Sequence, residues 1–172
     1  MEVREVYLEL FGRIEPLVRA AVDGLDPGQL VAQPQPGTNP VGWLVWHLTR
    51  VQDHHVGEVM GEEQIWPAWA SSFGLTPDPW NIGFGHSPAD VEAVQPESSQ
   101  VLVDYYRAVF ARTRGLLDAL TPQSLDRVVD VNWDPPVTLG VRLVSVADDS
   151  LQHVGQALYV RGLVESGWHI GY

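Results

Sequence analysis

Apolar residues recur at three- and four-residue steps in four stretches of the chain, and each stretch predicts a helix with one buried face. The first covers residues 3–25, with Val3, Tyr7, Leu10, Phe11, Ile14, Val18 and Ala21 on its stripe, and stops at Gly24. Asp26 and Pro27 in LDPGQL then predict a short capped turn, with aspartate as N-cap and proline at the first position. The second helix is expected from about Asn39 and Pro40 through VGWLVWHLTRVQDHHVGEVMG to Gly61. The third occupies about 98–120, with Val101, Leu102, Tyr105, Val109, Leu116 and Leu117 as its stripe. The fourth starts after WDPPVTLG and continues to about Gly162.

Between the second and third helices, residues 62–97 lose this periodicity. The segment is rich in Trp, Phe, Pro and Gly, and only Ser87-Pro88 begins a plausible short helix. An irregular stretch of this length inside a compact domain is expected to serve the site or to cover it as a lid. RVVDVNW is the one candidate for a brief extended pairing. GLDPGQL after the first helix is echoed by ALTPQSL after the third, which suggests two related helix pairs. The pattern therefore predicts an all-α fold: a four-helix bundle with a long aromatic-rich loop between helices two and three, in one domain spanning residues 1–172.

Charge removes several function classes. Twenty-two acidic against 10 basic side chains leave a formal net charge of −12. No nucleic-acid or anionic-membrane partner is expected, since either requires a basic patch. No apolar segment approaches the ~20 residues that span a bilayer, and the N-terminus shows no signal-peptide pattern, so a cytoplasmic protein is expected. Apolar helix surfaces leave room for a homodimer. Cysteine is absent, which excludes disulfides, a thiolate nucleophile and thiolate-bound zinc. All ten basic residues are arginine, so lysine Schiff-base chemistry is excluded too.

Against that background, Asp149 and His153 stand out on an apolar helix. Four residues apart, they lie roughly 40° apart around the axis and can converge on one point. Two readings stand: a solvated pair on the helix surface, or an inward-facing pair that holds an ion. His47 is the third candidate, set among Trp43, Leu44, Val45, Trp46 and Leu48. Alone it reads as a core histidine bonded to a carbonyl. With Asp149 and His153 it makes a two-histidine, one-carboxylate set that leaves coordination positions open, as catalytic metal sites do.

His54 follows His47 by seven residues and is expected on the same face, about 10 Å further along. His54 or Asp148 is the candidate general base. His86, Gln156 and Trp66 are candidate substrate-binding residues, each with a structural alternative: a loop hydrogen bond, a polar bundle contact and a satellite core. His55 is expected in solvent, and His169 carries no assignment.

The motifs VGWLVWHL on helix two and QHVGQ on helix four resemble the DinB-like superfamily of metal-binding four-helix bundles. That superfamily includes mycothiol-dependent maleylpyruvate isomerase and the bacillithiol S-transferases. The resemblance extends over nearly the whole chain, and FGHSPADVEAV and WDPPVTLGVRLVSV look like one actinobacterial branch. It implies that His47 and His153 are metal ligands. The remaining ligand position falls on Asp149, where many members carry histidine and the isomerase branch carries glutamate. It further implies a divalent metal, zinc or nickel, that binds a small thiol as thiolate and turns it on a small electrophile. The abundance of Arg, Ala, Gly, Val and Pro points to GC-rich codons and favours mycothiol as the co-substrate. The expected function is thus a metal-dependent thiol S-transferase or thiol-assisted isomerase. A non-catalytic ligand- or metal-binding bundle and a metal-dependent hydrolase are the alternatives.

Overall fold

The computed structural model describes residues 1–171. The chain is mostly helical and packs as a helical bundle, with α1 (Val3–Gly12), α2 (Ile14–Val22), α3 (Pro27–Leu30), α4 (Val41–Met60), α5 (Pro88–Ala93), α6 (Ser99–Asp118) and α7 (Leu139–Val164). A two-stranded antiparallel ribbon, β1 (Val128–Asp130) with β2 (Val137–Thr138), leads into α7.

The stretch read as one helix over residues 3–25 is two helices broken at Arg13 and ending at Val22. Pro16 explains the break. It has no N–H to offer the carbonyl four residues back, and its ring crowds that carbonyl, which belongs to Gly12. Both halves still bury the expected stripe, with Phe11, Ile14, Val18 and Ala21 fully buried. The capped turn forms as expected: Asp26 accepts the Gln29 N–H at 2.8 Å while the Gln29 side chain accepts the Asp26 N–H at 3.0 Å. Its echo after α6 is a similar reciprocal pair, Thr121 with Ser124, opening a 3₁₀ turn over Gln123–Asp126.

Helix α4 is the centre of the molecule. It packs most extensively on α7, then on α6, while α2 packs against both α7 and α6. Every residue from Val41 to Asp53 is buried, polar ones included. Burial on all sides follows from the segment 62–98, which is folded over α4 rather than left open. This segment contains 3₁₀ turns at Trp66–Ala68 and Ala70–Phe73 and the helix α5, begun by Ser87 as N-cap. Trp66 and Phe73 insert fully into the core beside Tyr105. No helix among the described residues is long and apolar enough to cross a membrane.

Candidate metal centre

The most extensive helix contact in the fold, α4 on α7, brings His47 against Asp149 and His153. One ligand atom from each of the three lies within 4.8 Å of the others. His47 Nε2 is 3.7 Å from Asp149 Oδ1, and His153 Nδ1 is 3.5 Å from the same oxygen. The two imidazoles meet edge to face. The cluster sits at the edge of the core: the His47 side chain is 8% exposed, His153 21% and Asp149 24%. The inward-facing reading of Asp149 and His153 therefore describes the geometry.

Hydrogen bonds set which nitrogens are free. His47 Nδ1–H donates to the Ile82 carbonyl, and His153 Nδ1–H donates to the Asp149 carbonyl at 2.8 Å. In the neutral imidazoles each Nε2 is then left with its lone pair, the arrangement that metal-bound histidines show. Asp149 Oδ2 is buried and has no hydrogen-bond partner among the described residues. A buried carboxylate oxygen without a donor is costly, and a cation between the three side chains would supply what it lacks. The donor set fits a divalent transition metal with positions left open.

The charge on Asp149 points the same way. Burial works against ionisation of Asp149, but His153 and His47 outweigh it and hold its carboxyl at about 2. Burial likewise works against a charged His153, and the Asp149 carboxylate overcomes it and pushes the imidazole up. Asp149 is thus anionic whenever the protein is folded near neutral pH.

One wall of the site is aromatic. Trp43 lies flat on His47, with ring centroids 4.7 Å apart and planes 9° apart. Trp43 Nε1–H donates to His86 Nδ1 at 3.1 Å, and His86 Nε2–H donates to Asn81 Oδ1 at 2.8 Å. Both nitrogens of His86 are used, as the loop hydrogen-bonding reading requires. Gly83 presses its backbone on this wall with φ +93°, and a Cβ there would fall 2.6 Å from His47 Nδ1.

Other expected site residues lie elsewhere. Trp66 is fully buried between Trp46, Phe73 and Tyr105, so it is core and does not line a pocket. Asp148 is exposed on the outer side of α7, where its carboxylate accepts from Gln152 at 2.7 Å; one position along a helix turns it away from Asp149. Gln156 is also exposed on α7. His54 shares the buried edge of α4 but lines a separate cavity of ≈430 Å³ with Glu58, Gln64, Pro79 and Trp80. Its Nδ1 accepts from Gln64 at 2.9 Å, and burial lowers its affinity for a proton. His55, expected in solvent, is instead packed beside Arg142, whose Nη1 is 3.5 Å from His55 Nε2. Burial, helped by Arg142 and His54, pulls His55 down to about 4. With His54 and Glu58 it forms a second cluster of ligand-type side chains, but the Arg142 guanidinium occupies the cation position there.

The sequence reading missed a buried ionic network one turn beyond His47. Arg50 and Asp53 are buried, and Asp53 accepts the N–H groups of Ile65 at 3.1 Å and Trp66 at 2.9 Å and the Tyr105 hydroxyl at 2.9 Å. The legible signal was TRVQD, two opposite charges three residues apart on a helix that opens with an apolar run.

Comparison with known proteins agrees with this fold. A crystal structure of a conserved protein from Enterococcus faecalis superimposes with a TM-score of 0.86 at 32% identity, covering 95% of this chain and 98% of that one. No curated protein matches the chain. The model of the mycothiol-S-transferase family matches residues 13–166, a span that includes α2 to α7 and all three clustered side chains, and the chain belongs to that family.

Proposed function

We propose that the protein is a metal-dependent S-transferase or thiol-assisted isomerase that joins a small thiol of the mycothiol type to a small electrophile. The observation that carries this reading is the cluster itself: two imidazoles with Nδ1 committed to carbonyls, facing a carboxylate with a donorless oxygen. His47 Nε2, His153 Nε2 and Asp149 are the ligands. A divalent ion held there, zinc or nickel, would supply Lewis acidity that keeps a thiol ionised near neutral pH. The chain has no cysteine, so the sulfur nucleophile comes with the co-substrate. Asp149, already anionic, lowers the net charge of the centre, and the Ile82 and Asp149 carbonyls keep both imidazoles aimed. Partial exposure of Asp149 and His153 leaves one side of the centre open to solvent.

The same reading counts α1 and α2 as one broken arm, which makes a four-helix bundle with α4, α6 and α7, in a single domain. It places the protein in the cytoplasm, where such thiols are kept reduced. A homodimer is part of the proposal, supported by Val141, Val144, Tyr159 and Leu163 exposed along α7.

Elemental analysis of untagged protein purified without added metal is the test, beside Asp149→Ala and His153→Ala. About one divalent ion per chain, lost in both variants, is expected. No metal in the wild type, and none taken up on titration with zinc or nickel, would overturn the reading. Metal-dependent turnover without added thiol would replace it with hydrolysis.

A further inference from the structure

One loop, residues 79–86, holds His47 from two sides, and a guanidinium on the helix that carries His47 pins that loop. Arg50 is three residues beyond His47 on α4 and is fully buried. Its Nε–H donates to the Asn81 carbonyl at 3.1 Å and its Nη2–H to the Pro79 carbonyl at 3.1 Å. The planar fork thus fixes two carbonyls two residues apart, as a single ammonium cannot. Its remaining donors go to Gln64 at 2.8 Å and to Tyr105 and Asp53 at 3.3 and 3.5 Å.

The first hold on His47 is direct: Ile82, next to the pinned Asn81, accepts its Nδ1–H. The second runs through Asn81 Oδ1 to His86, from His86 to the Trp43 indole, and from that indole to the face of the His47 ring. Gly83 lets the backbone come this close, since any side chain there would strike His47. Neither Arg50 nor His86 has a ligand atom to give. Arginine carries no lone pair at neutral pH, and both His86 nitrogens are engaged.

We propose that the 79–86 loop is an orienting strap, and that Arg50 and His86 are positioning residues which hold His47 in the Nδ1–H form with Nε2 presented to Asp149 and His153. A neutral imidazole freed from the Ile82 carbonyl can carry its proton on either nitrogen, and the Nε2–H form offers the centre a proton in place of a lone pair. This gives the buried arginine a role beyond its pairing with Asp53.

The metal arm of this inference rests on the function proposed above; the tautomer arm does not. Metal-free protein with 15N-labelled histidine, at a pH where His47 is neutral, reports which nitrogen carries the proton. Wild type is expected to show His47 as Nδ1–H. His86→Phe and Arg50→Lys are expected to show a mixture of tautomers, with helix content kept and zinc affinity, read by chelator competition, reduced about ten- to a hundredfold. His86→Phe protein that folds and keeps both the wild-type tautomer and the wild-type zinc affinity would overturn the strap, as would a wild-type His47 protonated at Nε2. Should Arg50→Lys fail to fold, His86→Phe and Asn81→Ala decide. A tautomer lost in the variants, in a wild type that takes up no zinc, would uphold the strap and defeat the metal reading.

Discussion

His47 and His153 meet edge to face with ring centroids 4.5 Å apart, one from the middle of α4 and the other from the middle of α7. Their contact is the point at which the two best-packed helices of the fold exchange polar groups in place of apolar ones. Packing alone would favour hydrophobic side chains there, so a ligand is the economical explanation for the pair and for Asp149 beside it.

Metal should stabilise the folded chain. A ligand that binds only the native state raises stability by about 3 kcal/mol at a hundredfold excess over its dissociation constant. For a chain of this length that is a rise of several degrees in Tm. Calorimetry with and without zinc or nickel is expected to show such a rise in the wild type and none in His47→Ala. An equal rise in both proteins would place the metal elsewhere.

Gly83→Ala should disturb His47 more than the change of one methyl suggests. The backbone there has φ +93°, which L side chains rarely adopt, and the new Cβ would fall 2.6 Å from His47 Nδ1. A loss of about 1–3 kcal/mol in urea unfolding is expected, together with weaker metal uptake. Unchanged stability with unchanged metal uptake would mean that the loop relaxes freely.

Asp53→Ala should be among the most damaging single substitutions. It leaves the buried Arg50 guanidinium without its carboxylate and also removes the acceptor for the Ile65 and Trp66 N–H groups and the Tyr105 hydroxyl. Breaking a buried pair from one side costs about 3–5 kcal/mol. Chemical denaturation would read the loss. A cost below about 1 kcal/mol would show that water fills the gap and accepts from the freed donors.

Acid should destabilise the protein in a window set by His55. Its folded pKa is drawn down to about 4 by burial and by Arg142 and His54. Below its ordinary value of about 6.5 the unfolded chain takes up a proton that the folded chain refuses. The contribution is therefore full above pH ~6.5 and is lost as pH falls toward 4, reaching about 3 kcal/mol at most. Urea unfolding at pH 7.5 and 4.5 should show a smaller difference in His55→Gln than in the wild type. An identical difference in the two proteins would assign the acid sensitivity to other groups.

Much of the helical layout was legible because helical periodicity is a local property. The stripes Phe11–Ile14–Val18–Ala21 and Val101–Leu102–Tyr105–Val109 are buried as their spacing requires. The break at Arg13 was legible too, in Pro16, but the apolar stripe runs through it without interruption and conceals it. His55 was misplaced because its neighbours in sequence say nothing of Arg142, which approaches from 87 residues away. Trp66 was legible only as a choice between substrate-binding residue and satellite core, because composition cannot distinguish an aromatic loop that lines a pocket from one that plugs a core.

The sequence by itself determined that Asp149 and His153 share a helix face, because 3.6 residues per turn places i and i+4 together whatever the rest of the chain does. It also determined that no thiolate of this chain can be a nucleophile or a ligand, because there is no cysteine. Only the tertiary structure decided that His47 completes the cluster, that His86 and Arg50 serve it from behind, and that His54 opens on a different cavity. The physical reason is range. Periodicity and capping act over a few residues, whereas a three-ligand centre depends on how α4 and α7, about a hundred residues apart, lock their side chains together.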